Sequence, residues 1–286
     1  MLGGMSGSDP RWRDRFDDRD AESLSRFVDD LRELFGAELL AVAATGEAAS
    51  APYRPGRTPL QTVVVLQEVD PGRLRSARPR LRRWARRRIP TPLFLDPLYI
   101  EGALDTFPLE FLEMSEHHVT LFGDEDFLAS IRIDRDALRL EVEEQLRGKM
   151  LHLWEAYLEQ GGRRRELERL LQEPLPGFEL ALRGLLRLRE LDRDAAAGSG
   201  AHREPEAGSS PRPTRPEGVA LIDAVAEMLE IELPVFGRLE QARIDGARVA
   251  GDDLDELFAA FLAELRRIVR VIDALADPDP VGKYET

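Results

Sequence analysis

The chain of 286 residues holds 54 acidic and 40 basic side chains, a formal net charge of −14, with 43% hydrophobic residues and no cysteine. That length and apolar content suit one large domain or two ordinary ones with real cores, and an average surface this acidic excludes wholesale coating of nucleic acid while leaving room for a local basic site. The missing cysteines exclude disulfides, thiolate catalysis, iron–sulfur clusters and cysteine-held zinc.

In chain order, residues 1–20 read as a charged, disordered leader. From Ala21, the residues Leu24, Phe27, Val28, Leu31, Leu34 and Phe35 recur at helical spacing until Gly36 stops them. The apolar run 39–44 reads as a buried strand, closed by Thr45 and Gly46, then a loop rich in proline and glycine over 50–59. A second strand spans 60–66, centred on Val63, Val64 and Val65. Residues 72–88 predict a helix, 91–95 a short apolar segment, and 105–114 a third strand or strand pair. Beyond Ile133 the pattern is helical: 134–159 with Asp134 as its cap, 178–191, a helix from Val219 and a last one from Asp252. The last carries the widest apolar stripe, from Leu254 to Ile272. Between them, 192–218 loses periodicity and reads as a flexible linker. No apolar stretch nears the ~20 residues that span a bilayer, so a cytoplasmic protein without membrane contact is expected. Nearly all the basic residues are arginine, only Lys149 and Lys283 being lysine, a bias that fits a GC-rich genome.

The order helix, Gly36, strand, Gly46 turn, polar loop, second strand resembles the core of the DNA-polymerase-β-type nucleotidyltransferase superfamily. In that family a Gly-Ser pair after the first strand holds nucleotide phosphates on backbone N–H groups. An Asp-x-Asp pair at the second strand binds two Mg²⁺ ions, completed by a third acid from a neighbouring strand. Laid on this sequence, the first element falls on Gly46 and Glu47, and the second on the stretch 58–66. The two aspartates are replaced by Pro59 and Gln61, neither a good ligand for Mg²⁺. The resemblance assigns the third acid to Glu110, with Asp105 just before it as the other candidate. It implies nucleotide contacts at Gly46, Glu47, Thr58 and Gln61. On a strand, Phe107, Leu109 and Phe111 would pack inward and Glu110 outward.

The expected fold is α+β: a nucleotidyltransferase-like mixed sheet with helices over 21–133, then an all-helical bundle over 134–276 and a tail over 277–286. With its metal site degenerate, the resemblance implies nucleotide or RNA binding, or regulation, rather than conventional catalysis. Two alternatives stand: an active enzyme moving an NMP from an NTP to a hydroxyl with Mg²⁺, or a scaffold recruiting a protein partner through the helical part.

Other chemistry is sparser. The window 72–88 holds Arg73, Arg75, Arg78, Arg80, Arg82, Arg83, Arg86, Arg87 and Arg88 with no acid. Arg80, Arg82, Arg83, Arg86 and Arg87, around Trp84, form a candidate anion or RNA face, against the plainer reading of a docking face for acids of this chain. His117 and His118 are expected to cap or edge the third strand. Arg147 and His152 share a spacing that resembles the RNA-cleaving motif of HEPN domains, although five helical positions turn about 500° and separate their faces. Glu141, Glu143, Glu144, Arg147 and Lys149 read as an exposed charged patch, and His202 as inert.

Overall fold

The computed structural model describes residues 11–50, 53–123, 127–160, 163–196, 216–249 and 253–276. The chain divides into two compact units after Ile133. In the first, helix α1 (Asp18–Phe35) opens on Asp17, whose side chain accepts from Asp20 N, and ends at Gly36 with φ 53°. Strands β1 (Leu39–Thr45), β2 (Thr62–Leu66), β3 (Leu93–Leu95) and β4 (His118–Phe122) form one sheet in the order β3-β2-β1-β4. β1 is antiparallel to β2 and β4, whereas β3 runs parallel to β2. A parallel neighbour needs a crossover, and helix α2 (Pro71–Arg86) supplies it.

Side chains of β1 and β2 alternate between two layers. Val42, Ala44, Val64 and Leu66 pack with Leu24, Phe27 and Leu31 of α1 and Trp84 of α2. Ala41, Val63 and Val65 pack with Ile100 and Ala103 of α3 (Pro97–Ala103) and Phe111 of α4 (Pro108–Glu116). Burial on both faces is why these strands read as unbroken apolar runs rather than alternating ones.

Three expectations are corrected here. Residues 108–116 form helix α4, not a strand: Pro108 sits in its first turn, and Leu109, Phe111 and Leu112 are buried at helical spacing. Phe107 accordingly lies outside the core at 43% exposure, whereas Leu109 and Phe111 are inside it. The part of the leader that is described, 11–20, belongs to the fold, because Phe16 and Asp20 are buried and Trp12 packs against the core; residues 1–10 lie outside the described residues.

The second unit is helical throughout its described residues: α5 (Arg135–Gln160), α6 (Arg164–Gln172), α7 (Leu175–Ala196), α8 (Val219–Leu229), α9 (Pro234–Ile244) and α10 (Leu254–Ala276). Asp134 caps α5 by accepting from Asp136 N at 3.0 Å and Ala137 N at 2.9 Å. Phe178, Phe236 and Phe261 meet edge to face with centroids 5.2–6.1 Å apart, tying α7, α9 and α10 together. The buried Glu264 accepts from Val235 N and Phe236 N, closing the exposed end of α9 from α10. The start of the expected linker is helix, since α7 runs to Ala196 and Asp192 pairs with Arg135 at 2.5 Å. Residues 197–215 and the tail from 277 lie outside the described residues.

Candidate functional site

β1 ends at Thr45, and the antiparallel pairing sets the start of β2 beside it: Thr45 N donates to the Gln61 carbonyl at 3.0 Å. Gly46 follows with φ 63° and opens a short 3-10 turn over Gly46–Ala49. A Cβ on Gly46 would collide with Gln61 Oε1, so the glutamine side chain occupies the space that the glycine leaves. Of the four sequence candidates for nucleotide contact, the fold therefore brings Gly46 and Gln61 together, with Glu47 exposed next to them. Thr58 has a different role. It is buried, and its Oγ1 accepts from Arg54 N at 2.8 Å while its carbonyl accepts from Arg88 at 2.8 Å.

The loop into β2 is held from below by Asp20, which is fully buried. Its carboxylate accepts from Tyr53 OH at 2.8 Å, from Gly56 N at 3.3 Å and from the Arg88 guanidinium. Arg88 reaches it because its backbone takes φ 62°, an uncommon value outside glycine that turns the chain sharply after α2. Burial pushes the Tyr53 phenol above its ordinary range, so it stays a donor to Asp20 at neutral pH. The loop leaves two cations on its outer side, Arg54 and Arg57, both exposed.

The acid side of the expected centre is not assembled. Glu110 is exposed in the first turn of α4, a helix rather than the strand that was to aim it, and Asp105 is exposed before that helix, bonded to Thr106 Oγ1 at 3.1 Å. On the side of β2 away from β1 lies β3, paired Val63 with Leu93 and Val65 with Leu95, which brings apolar residues there. Its nearest carboxylate, Asp96, caps α3 through Tyr99 N and also accepts from Val69 N. Hydrogen bonds from those backbone groups hold it below the usual carboxylate range. Among the described residues, no group of three or more His, Asp or Glu side chains could hold a metal ion. Pro59, Gln61 and an exposed Glu110 do not fit a two-Mg²⁺ centre.

The arginines of α2 divide by helix face. Inward, Arg73 forks onto Glu38 at 2.7 and 2.8 Å and meets Asp70 at 2.5 Å. Arg80 binds Glu33 at 3.0 Å and Asp30 at 3.4 Å; Arg83 binds Asp30; Arg87 lies 3.8 Å from it. Asp30, nearly buried, also accepts from Trp84 Nε1 at 2.8 Å. Hydrogen bonds from these arginines hold Glu33 and Glu38 below the ordinary glutamate range. Of the five expected anion-binding residues, Arg80, Arg83 and Arg87 are thus engaged with acids of α1, while Arg82 and Arg86 face out.

The remaining candidates do not converge. His117 ends α4 with Nδ1 3.2 Å from Glu113, and His118 opens β4. Arg147 binds Glu143 at 2.8 Å and Asp273 at 2.6 Å, whereas the exposed His152 turns to Glu155. The charged patch of α5 is laced along the helix, Glu143 bridging Arg139 and Arg147. His202 lies outside the described residues.

No family model matches this sequence, and no curated protein matches it. Among solved structures, the chain is similar to spectinomycin adenyltransferase AAD(9) from Enterococcus faecialis, solved with ATP and spectinomycin, at 11% identity and a TM-score of 0.44, covering 86% of this chain and 98% of that one. Among the described residues no helix is long and apolar enough to cross a membrane.

Proposed function

We propose that the first unit is a nucleotidyltransferase-like module that binds a nucleotide through its phosphates and does not transfer it. The observation that carries this reading is the Gly46 turn. A glycine at φ 63° leads into a 3-10 turn that has no side-chain cap at its start, and the first backbone N–H groups of such a turn suit an anion. Beside it lies a neutral amide, Gln61, where a metal-binding member of that superfamily has a carboxylate. An amide can donate to a phosphate oxygen and leaves no negative charge to be offset by Mg²⁺. Arg54 and Arg57 add positive charge on the same loop, and the Asp20 network under that loop fixes it before a ligand arrives. Glu47 opposes the phosphate by its charge. Binding of this kind needs no metal, and Glu110 and Asp105 have no part in it. The protein would then serve as a nucleotide-responsive regulator.

Titration calorimetry with ATP in EDTA and again with Mg²⁺ tests this, alongside an assay for release of pyrophosphate. The reading predicts binding in both buffers, tighter in Glu47→Gln, with no pyrophosphate released. Pyrophosphate release dependent on Mg²⁺ would replace it with the active enzyme.

A further inference from the structure

We infer that the outward face of α2 is a docking surface for the sugar–phosphate backbone of double-stranded nucleic acid, made by Arg75, Arg78, Arg82 and Arg86. The inference is independent of nucleotide binding at Gly46. These residues are spaced three, four and four apart. At 100° per residue they fall within about 80° of one another around the helix, and the eleven steps from first to last carry them roughly 16 Å along its axis. All four are exposed, and none makes a hydrogen bond or ion pair to any described residue.

What sets them apart is the use made of the other arginines. Arg73, Arg80, Arg83 and Arg87 lie on the opposite side of α2 and are met there by Glu33, Glu38, Asp30 and Asp70. That side also holds the buried Ala77 and Trp84. The acids of the first unit thus neutralise the inner row and leave the outer row uncompensated, with no carboxylate anywhere in α2. In a chain of net charge −14, a row of four bare guanidinium groups is a local reversal of sign.

The chemistry of the row selects its partner. Guanidinium groups fork onto phosphate and are all donors. The face has no aromatic side chain, since the tryptophan of α2 is buried and bonded to Asp30, so it lacks the stacking platform that single strands use. A row of cations repeated along one helix face fits the regular phosphates of a duplex, and contact made only there is indifferent to sequence and to the sugar.

Fluorescence anisotropy with labelled 20-base-pair duplexes, one RNA and one DNA of the same sequence, checks this on the full chain. With four phosphate contacts, the slope of log K against log salt should be about −3.6 for either duplex. The variant Arg75→Gln/Arg78→Gln/Arg82→Gln/Arg86→Gln should keep its melting temperature, flatten that slope and weaken binding at least tenfold at low salt. Replacing all four by lysine should preserve the slope. A charge-matched control, Arg165→Gln/Arg238→Gln/Arg248→Gln/Arg270→Gln, should bind as the parent does. Equal losses in stripe and control variants would overturn the inference. So would displacement of the duplex by polyglutamate of the same charge, or tighter and steeper binding of single strands.

Discussion

Gly46 carries two demands at once, a left-handed backbone and the absence of a Cβ where Gln61 reaches over it. The second is the cheaper, because Gln61 Oε1 is the end of a flexible, exposed side chain that can swing away. The first is not, since an L residue in the left-handed region costs roughly 1–2 kcal/mol. Gly46→Ala is therefore expected to lose about that much stability by chemical denaturation. Gly46→Ala/Gln61→Ala should lose no less than the single variant, with a coupling energy under about 0.5 kcal/mol. A double variant restored to parental stability would show that the clash, and not the backbone, is what glycine avoids.

At the scale of elements, the buried carboxylate of Asp30 ties α1 to α2. Asp30 accepts from Trp84 Nε1 and holds Arg80 and Arg83, while Phe27 and Trp84 meet edge to face with centroids 5.0 Å apart. Asp30→Ala leaves the buried indole N–H without its acceptor and takes a carboxylate from Arg80 and Arg83, and should cost about 2–4 kcal/mol in thermal unfolding. Asp30→Asn keeps an acceptor for the indole and should cost less. Equal costs would mean that charge pairing, not the Trp84 bond, dominates. The same two helices show what the sequence made legible. The stripe of α1 and the valines of β2 announced themselves because burial on one face, or on both, leaves a clean apolar period. The division of the α2 arginines into an inner and an outer row was also written in their spacing, but assigning a side required knowing that Asp30 and Glu33 of α1 face them. The segment 105–114 misled because its alternation of Phe107, Leu109 and Phe111 mimics a strand. Pro108, a first-turn residue of helices, was the contrary signal. With that strand went the reason to aim Glu110 at Gly46.

Across the whole molecule, arginine–carboxylate pairs recur in both units, and their titration gives stability a definite direction with pH. Hydrogen bonds from Arg80 lower Glu33, those from Arg73 lower Glu38, and backbone donors at Arg73 and Gly72 lower Asp70. In the second unit burial pushes Glu143 up, but hydrogen bonds from Arg147 and Arg139 outweigh it and the net shift is downward. A carboxylate whose folded value is depressed binds its proton more readily when unfolded. Its contribution is complete above the unfolded value near pH 4 and is lost as the pH falls through the folded one. The melting temperature should be level from about pH 7 to 5 and then fall, with the fall softened in Glu33→Gln/Glu38→Gln because two of the depressed acids have already gone. A melting temperature that rises below pH 5 would contradict the pairing described here. The net charge of −14 is thus unevenly distributed: acids neutralise the inner arginines of α2, while the outer row and the loop cations Arg54 and Arg57 have no carboxylate partner among the described residues.

An anion-binding turn that works without a metal centre is tested most directly by ATP binding with and without Mg²⁺. Calorimetry should return the same Kd, within about twofold, in EDTA and in excess Mg²⁺, with weaker binding in Gly46→Ala, whose altered turn disturbs the N–H groups. Binding that appears only with Mg²⁺, or no binding in either buffer, would contradict it.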